Sequence, residues 1–398
     1  QPECKRHIGM RILFTFVGGH GHFEPLVPVA RAAGTVGHEV AFGCAPSMVP
    51  AVEAAGFNAF AIGSEMNRAP ERIPLRPLDI EREDQDLRER FARRAATFRV
   101  PHIVALCVGG KPNVLVCDET DFGAVVGAER LGLPFATVLV IAAGSFVRTE
   151  VVGEALNELR AEHGLDPDPE LEMLSRYLVL SPFPESFRDP AHPLPATAHG
   201  FRPSMPKSAE DAAPPWSSVL PGAPTIYFTL GTIFNLESGD LLGRMLTGLR
   251  ELPSNLVVTV GHHVDPAEFG PQPRHVHVER FIPQSSVLPY CDLVVSHGGS
   301  GSVIGALAHG LPSVLLPLGA DQPLNAGRCA ALGVARVLDA VEATPEVVRA
   351  AAADVITDPA YRRDAEGLRD EIAALPNPAH AIGLLERLAR EERPLYSA

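Results

Sequence analysis

The sequence predicts an α/β protein in which two Rossmann-like domains, each built on a mostly parallel sheet, follow one another. Apolar runs of strand length alternate with helical stretches along most of the chain, as in parallel α/β units. Glycine-rich turns directly follow two of these apolar runs, at residues 18–21 and 298–301. Residues 203–221 are rich in proline, lack a periodic pattern and are the best candidate for the linker between the two regions.

Composition excludes several functional classes. The 398 residues allow two domains of about 190 residues. The net charge of −14 and the absence of a Lys/Arg cluster disfavour binding to nucleic acids or anionic membranes. No apolar run reaches the ~18 residues of a membrane span. The six cysteines form no C-x-x-C pair and lie in or beside apolar runs, which favours reduced thiols, no metal and a cytoplasmic location.

In the first half, a strand is expected over residues 11–17, before the first glycine-rich turn. We expect a helix over 22–36, a strand over 38–43, and a later strand–helix–strand unit over 114–140. Residues 1–9 are polar, precede Met10 and are expected to lie outside the fold. The charged stretch 68–94 predicts a loop that passes into an exposed helix.

The second half repeats the alternation. Strands are expected at 225–229, 256–260, 275–278, 293–296 and 313–317, with helices between and after them, and a last amphipathic helix at about 378–392. Ligands of such sheets bind beyond the carboxyl ends of the strands. Two sheets that face each other would therefore hold two ligands in one cleft.

The first candidate site combines His20 with Asp118. His20 lies in the glycine-rich turn after the first strand, where a neutral imidazole can serve as a general base near neutral pH. Asp118 ends another strand of the same predicted sheet, and a carboxylate there could fix the imidazole tautomer. A histidine bonded to the backbone at a helix start is the alternative, and Asp121 is the rival carboxylate, although it is better suited to cap a helix.

The second candidate site is the segment from Ser296 to Val303, in which a strand runs through three glycines into a helix. Free N–H groups and the positive end of a helix attract anions such as a diphosphate. No Lys-Ser or Lys-Thr pair follows the glycines, so the segment is not a Walker A loop. A tight turn that only packs helix against strand is the alternative.

Further polar residues follow other strands of the second predicted sheet, on the same edge. They comprise Gly231-Thr232, the Phe281-Ile282-Pro283-Gln284 segment, and the Asp321-Gln322 pair, which is suited to sugar hydroxyls. Each of these residues is by itself more often structural. Their location on one edge of the sheet is the observation that indicates a binding site.

At these residues the sequence resembles the bacterial natural-product glycosyltransferases of the GT-B fold, an inverting family that also includes plant UDP-glycosyltransferases. The matching features run in the family's order from about residue 10 to residue 374. The resemblance implies an acceptor-binding Rossmann-like domain over 10–205 and a nucleotide-sugar-binding one over 222–375. Residues 376–398 would then form a helix that crosses back to the first domain.

The resemblance also implies roles. His20 is expected to deprotonate the acceptor hydroxyl, with Asp118 as its partner and no metal or other cofactor. The expected donor contacts are Thr232, Phe281, Ile282, Gln284, His297, Gly299, Ser300, Gly301, Ser302, Asp321 and Gln322. An apolar acceptor pocket is expected among Phe60, Met66, Phe91, Phe122 and Phe146, although each of these residues is by itself more often ordinary core.

One departure from the family pattern bears on the donor. In UDP-sugar members a Glu that binds the ribose hydroxyls stands eight positions after the loop histidine, where this chain has Gly305. A thymidine nucleotide lacks the 2′-hydroxyl, so the resemblance favours a dTDP-deoxysugar and a hydrophobic aglycone. The alternatives are a UDP-glucose-dependent transferase, an epimerase or hydrolase on the same fold, and a non-catalytic partner that activates another transferase. A homodimer is compatible with all of these.

Overall fold

The computed structural model describes residues 9–62, 72–203, 216, 219–232 and 234–397. Two parallel sheets, one of seven strands and one of six, carry helices on their faces. This confirms the predicted class, an α/β protein with two Rossmann-like sheets. Most of the proposed linker, and residues 68–71 of the charged stretch, lie outside the described residues.

The first sheet has the strand order β3-β2-β1-β4-β5-β6-β7, and every neighbouring pair is parallel. Its centre is apolar on both faces because helices cover both sides. The order reverses between β1 and β4, so a crevice opens at the carboxyl ends of these two strands. The strands are β1 (Arg11–Thr15), β2 (Glu39–Cys44), β3 (Asn58–Ala61), β4 (Val114–Asp118), β5 (Phe135–Val138), β6 (Leu178–Ser181) and β7 (Ala198–Gly200).

The predicted helix over 22–36 is divided in two. Residues 24–26 are not helical, and Pro28 lies in the first turn of the second helix, where a missing N–H costs little. The helices of this half are α1 (His20–Phe23), α2 (Val27–Thr35), α3 (Val49–Ala54), α4 (Ile80–Asp86), α5 (Ala96–Gly110), α6 (Phe122–Leu131) and α7 (Thr149–Glu162).

The charged stretch forms more helix than the sequence predicts. Helix α4 continues through a π-helical segment, Leu87–Ala95, into α5 without a break. Asp79 caps its start by accepting a hydrogen bond from Arg82 N. The buried Leu87, Ala92 and Ala95 fix one face of the segment against the core, so only the outer face is exposed.

The second sheet has the order β10-β9-β8-β11-β12-β13, again with parallel neighbours throughout. Its strands are β8 (Thr225–Thr229), β9 (Asn255–Thr259), β10 (Val276–Glu279), β11 (Leu293–Ser296), β12 (Ser313–Leu315) and β13 (Ala335–Val337). Its helices are α8 (Leu241–Leu249), α9 (Gln284–Val287), α10 (Ser300–Ala308), α11 (Gln322–Ala331), α12 (Pro345–Thr357) and α13 (Pro359–Ala374). The strand β13 was not predicted, and two of its three residues are exposed, so it lacks the buried apolar run that indicated β12.

The last helix, α14 (Ala379–Glu391), returns to the first sheet. Its apolar side chains Ile382, Leu385 and Leu388 are buried in the same core as β1 and α2. Five cysteines are unpaired and buried, and Cys4 lies outside the described residues. Over the part of the chain that the structure describes, no helix is both long and apolar enough to cross a bilayer.

Candidate functional site

The carboxylate at the end of β4 pairs with a histidine of α1, but not with the predicted one. Asp118 Oδ1 lies 3.4 Å from His22 Nδ1. His20 is half-exposed on the other side of α1, where its Nδ1 lies 3.8 Å from Glu24 Oε1. The expectation that His20 pairs with Asp118 is therefore wrong, because the two histidines of this short helix point in different directions.

Asp118 is fully buried, and both of its oxygens accept hydrogen bonds. Val17 N donates to Oδ2 at 2.7 Å, while Thr120 N and Thr120 Oγ1 donate to Oδ1 at 2.7 and 2.6 Å. Burial alone would raise the pKa of Asp118, but the charge and hydrogen bond of His22 and the other donors lower it. Asp118 is therefore an anion that stabilises a proton on His22.

Thr120 completes this group. Its hydroxyl proton is committed to Asp118, and its oxygen lies 3.2 Å from His22 Nδ1. The Nδ1 proton thus points at two acceptors, which leaves the Nε2 lone pair free to take a proton. Burial lowers the pKa of His22, but Asp118, with smaller contributions from Asp321 and Glu119, raises it above the usual value.

Asp121 has a separate function. It caps α6 by accepting from Ala124 N, and it forms a buried ion pair with Arg99, at 2.9 and 2.6 Å. The side chain that the sequence suggested as a helix cap is thus confirmed as one, and it does not compete for His22.

Across the cleft, the glycine-rich turn begins α10, as predicted. His297 is buried, and burial lowers its pKa to about 4, so its imidazole is neutral. Its Nδ1 has no hydrogen-bond partner within the described part of the chain. The ring fits because its neighbours lack side chains: a Cβ on Gly231 would lie 2.8 Å from His297 Cε1, and one on Gly299 would lie 2.7 Å from Nε2.

Ser300, Asp321 and Asn325 form one hydrogen-bonded cluster at the start of α10 and α11. Ser300 Oγ and Asn325 Nδ2 donate to Asp321 Oδ2, at 2.6 and 2.8 Å. Burial raises the pKa of Asp321, and these two hydrogen bonds oppose the rise. Gln322 uses its Oε1 to accept from Leu318 N at 2.8 Å, so it holds the turn that presents Asp321.

The remaining predicted donor residues line the carboxyl edge of the second sheet. Gln284 Nε2 donates to Ser302 Oγ at 3.1 Å, and its Oε1 lies 3.1 Å from where a Cβ on Gly305 would stand. Phe281 is half-exposed and stacks on His262 with ring centres 4.8 Å apart. Ile282 is partly buried behind it, whereas Gly301 and Thr232 are exposed.

The two halves meet directly at this site. Ala142 N donates to Ser300 Oγ at 2.8 Å, and Ala143 N donates to Asn325 Oδ1 at 3.1 Å. On α4, Glu83 Oε2 accepts from Ala320 N at 2.8 Å. The histidine of the first half and the carboxylate of the second, Asp321, therefore face one cleft.

A segment of the first half, residues 72–75, also lies on the second half. Arg72 forms a bidentate ion pair with Glu268, at 2.6 Å for both bonds, and Ile73 N donates to Leu236 O at 2.9 Å. Leu75 packs against the core of the second sheet. These contacts attach the segment that leads into α4 to the second half.

The predicted acceptor residues are not all brought together. Phe91, in the π-helical segment, stacks near His22 with ring centres 6.2 Å apart, and Phe146 is partly buried beside both cores of the first sheet. Phe60 is half-exposed on the edge strand β3. Phe122 is completely buried in the core under α6, so its assignment to an open pocket is wrong. Met66 lies outside the described residues.

Sequence reasoning missed several residues of the site. His22 was visible in the sequence beside His20, and only the direction of α1 separates them. Asn325 follows Asp321 by four positions on a helix, a spacing that places two side chains on one face. Thr120 and Glu119 carried no signal of their own. Within the described ranges no group of three or more His, Cys, Asp or Glu side chains is arranged to hold a metal ion.

Comparison with known proteins agrees with this architecture. Residues 243–388 match a family described as "Erythromycin biosynthesis protein CIII-like, C-terminal domain". The chain is 27% identical to the 10-deoxymethynolide desosaminyltransferase of Streptomyces venezuelae, over 96% of this chain and 98% of that protein. It is 28% identical to the tylactone mycaminosyltransferase of Streptomyces fradiae, over 96% and 93%.

Solved structures give the same result for the fold. The glycosyltransferase SnogD from Streptomyces nogalater aligns with a TM-score of 0.76 and 25% identity, over 96% of this chain and 99% of that chain. The spinosyn rhamnosyltransferase SpnG aligns with a TM-score of 0.80 and 23% identity, over 95% and 100%. The two-sheet arrangement is thus that of the GT-B fold.

Proposed function

We propose that this chain, a GT-B glycosyltransferase related to those of antibiotic biosynthesis, transfers a deoxysugar from a dTDP donor to a hydroxyl of a hydrophobic natural-product aglycone. The observation that carries the proposal is the cleft itself. On one side His22 is hydrogen-bonded to the buried Asp118. On the other side Ser300, in the glycine-rich helix start, donates to Asp321 and accepts from Ala142 N of the first half.

In the proposed reaction His22 is the general base. Its Nδ1 proton is directed at Asp118 and Thr120, so Nε2 accepts the proton of the acceptor hydroxyl. The acceptor oxygen forms a bond to the anomeric carbon as the bond from that carbon to the diphosphate oxygen breaks. Because attack comes from the face opposite the leaving group, one displacement inverts the anomeric configuration.

The second half would bind the donor and stabilise its leaving group. The N–H groups at the start of α10 and the positive end of that helix suit a diphosphate whose charge grows during the reaction. The neutral His297 adds a donor without adding charge. Asp321, with Oδ2 held by Ser300 and Asn325, is suited to accept from a sugar hydroxyl.

The structure around Gly305 supports the thymidine donor. The side chain of Gln284 occupies the space beside Gly305, where the UDP-sugar members carry a carboxylate. Two of the relatives are named desosaminyl and mycaminosyl transferases, and a GT-B neighbour, VinC, was solved in complex with dTDP at 23% identity. A cytoplasmic location and a homodimer stay predictions.

Calorimetric titration with dTDP and with UDP, without acceptor, is the experiment that tests the proposal first. Micromolar binding of dTDP with at least about tenfold weaker binding of UDP, or 1.4 kcal/mol, is the expected result. Stronger binding of UDP would contradict the thymidine assignment, and transfer from UDP-glucose would then be the function. Binding of neither nucleotide would contradict the donor site and favour a non-catalytic partner.

The acceptor half of the proposal needs a separate assay. We expect transfer from dTDP-deoxysugars to macrolactone or aromatic polyketide alcohols, with a β product from an α donor or the reverse. Retention of the anomeric configuration, read by NMR of the product, would exclude the single displacement. Consumption of the donor at the same rate without acceptor would favour a hydrolase.

A further inference from the structure

The segment that follows β5 belongs to the first half and contacts the second, and four of its consecutive backbone N–H groups donate to side chains. Val140 N and Ile141 N both donate to Glu119 Oε1, each at 2.6 Å. The next two donate to the second half, Ala142 N to Ser300 and Ala143 N to Asn325. We call residues 140–143 the bridge segment.

One end of the bridge segment contacts a neighbour of the proposed His22–Asp118 pair, and the other end contacts the residues that hold the proposed donor carboxylate. Glu119 is the immediate neighbour of Asp118, which orients His22. Ser300 and Asn325 are the residues that hold Asp321 Oδ2. The bridge segment is therefore a short link, within the described residues, between the acceptor base and the donor cluster.

Arg188 holds the same segment from its other side. It is only 9% exposed, and its Nη1 donates to Ile141 O at 3.4 Å. Its guanidinium lies against Gly144, where a Cβ would fall 1.9 Å from Arg188 Cζ. Gly144 has φ of +87°, so it supplies both the left-handed turn and the space for the guanidinium.

The charges of Glu119 and Arg188 affect each other's pKa. Burial raises the pKa of Glu119 to about 7, and the charge of Arg188 and the two N–H donors oppose the rise. Burial lowers the pKa of Arg188, and the charge of Glu119 opposes that change. The other ionisable groups that act on Glu119 are Asp118, beside it, and His22, on α1.

We infer that Glu119 and Arg188 are positioning residues, which hold the bridge segment and thereby fix the distance between His22 and the donor cluster at Asp321. Neither side chain needs to touch a substrate for this role. An error of about 1 Å in the placement of reacting groups can lower the rate on the order of 10²-fold. Removing the contacts of Glu119 or Arg188 with the bridge segment is therefore expected to lower kcat. The inference rests on the proposed function for its kinetic part only.

The test compares Glu119→Ala, Glu119→Gln and Arg188→Met in the full chain. Glu129→Ala is the matched control, because it also removes a buried carboxylate paired with arginines, Arg160 and Arg176, but on α6 away from the cleft. The measurements are hydrogen exchange of the peptide that contains residues 139–146, calorimetric binding of dTDP, and kcat with any dTDP-sugar and alcohol that the wild type turns over.

We expect Glu119→Ala and Arg188→Met to speed exchange of the bridge amides and to lower kcat by about tenfold or more, with dTDP affinity within about threefold of wild type. Glu119→Gln keeps an acceptor oxygen, so its kcat and its exchange of the bridge amides are expected to stay close to wild type. The control is expected to lower the melting temperature while leaving bridge exchange and kcat near wild type.

Two results would overturn the inference. One is exchange as slow as in the wild type in both Glu119→Ala and Arg188→Met. The other is faster exchange with unchanged kcat, which would make the pair purely structural. A wild-type chain that transfers no sugar from any dTDP donor contradicts the proposed function alone, and the exchange data then still decide whether these residues hold the segment.

Discussion

His22 Nδ1 lies 3.4 Å from Asp118 Oδ1, while the half-exposed imidazole of His20 lies near Glu24 instead. His20 and His22 are two positions apart in the sequence but differ in environment. His20 is half-exposed, whereas the Nδ1 proton of His22 has two acceptors. The hydrogen bonds of Nδ1 leave Nε2 of His22 free to accept a proton, as the proposed role of general base requires.

Replacing each histidine in turn distinguishes them. We expect His22→Ala to lower kcat/KM for transfer to an alcohol by about 10²-fold or more, the usual contribution of a positioned general base. His20→Ala is expected to stay within about threefold of wild type, since its contact is an exposed one with Glu24. Both variants should bind dTDP as the wild type does, because neither histidine lies on the second sheet. A large loss in His20→Ala and a small one in His22→Ala would reverse the assignment.

The ion pair predicts a shift in the pH profile. The pKa of His22 is raised by Asp118, so kcat/KM should rise with pH and level off above a pKa higher than the 6.5 of a free imidazole. Asp118→Asn removes the charge that raises the pKa, and burial then lowers it. The rising limb is therefore expected to move to lower pH, while the plateau falls by about tenfold or more because the imidazolium loses its partner.

Glu119 needs a control in this experiment because its pKa of about 7 falls in the same range. If the rising limb belongs to His22, it stays in Glu119→Gln, shifted slightly at most, and moves only in Asp118→Asn. A limb that disappears in Glu119→Gln and is unchanged in Asp118→Asn would assign it to Glu119 instead.

The fold and the edges that carry the site could be predicted from the sequence because they depend on local patterns. Apolar runs of strand length, helical periodicity and the glycine-rich turn at 298–301 each have a local physical cause. Parallel strands bring their carboxyl ends to one edge, so Asp118 and Asp321 could be assigned to the cleft without coordinates.

The sequence could not predict which side chains contact each other. These contacts depend on the direction in which each side chain points and on residues that are far apart in the sequence. The choice between His20 and His22 is set by the orientation of a four-residue helix. The hold of Glu119 on the bridge segment joins residues 21 and 22 positions apart, and that of Ser300 joins residues 158 apart. The segment at 72–75 has no pattern that reveals its contact with the second sheet. For Phe122 the structure confirms the core alternative, because the side chain is completely buried.

Gly305 offers a test of nucleotide choice. Gly305→Glu would place a carboxylate beside the ribose, in the space that Gln284 now occupies, with Gln284 Oε1 at 3.1 Å and Leu288 Cδ1 at 3.3 Å from the new Cβ. Since a hydrogen bond to a charged group contributes about 1.5–3 kcal/mol, the preference for dTDP over UDP is expected to fall by about tenfold or more. Gly305→Ala, which adds the Cβ alone, should leave the preference unchanged. An unchanged ratio in a folded Gly305→Glu variant, measured by calorimetry with both nucleotides, would remove Gly305 from the explanation of donor choice.

Gly231 tests whether His297 must keep its position for donor binding. Gly231 has φ of +73°, and a Cβ there would lie 2.8 Å from His297 Cε1 and 2.9 Å from Nε2. Gly231→Ala therefore combines a left-handed backbone, which costs an L-residue about 1–2 kcal/mol, with displacement of the imidazole. We expect dTDP affinity to fall by about tenfold, a loss of about 1.4 kcal/mol, measured by calorimetry.

Gly243→Ala, on α8 of the same half, is the matched control for this substitution. Nothing lies within 4 Å of its new Cβ, and a helical alanine is favoured over glycine by about 0.5–1 kcal/mol, so the control should bind dTDP normally and melt no lower than the wild type. If Gly231→Ala melts at a lower temperature but binds dTDP as tightly as the control, the position of His297 is not needed for donor binding. The backbone N–H groups at the start of α10 would then have to supply the diphosphate contacts without the imidazole, and His297→Ala would be expected to bind dTDP as tightly as the wild type.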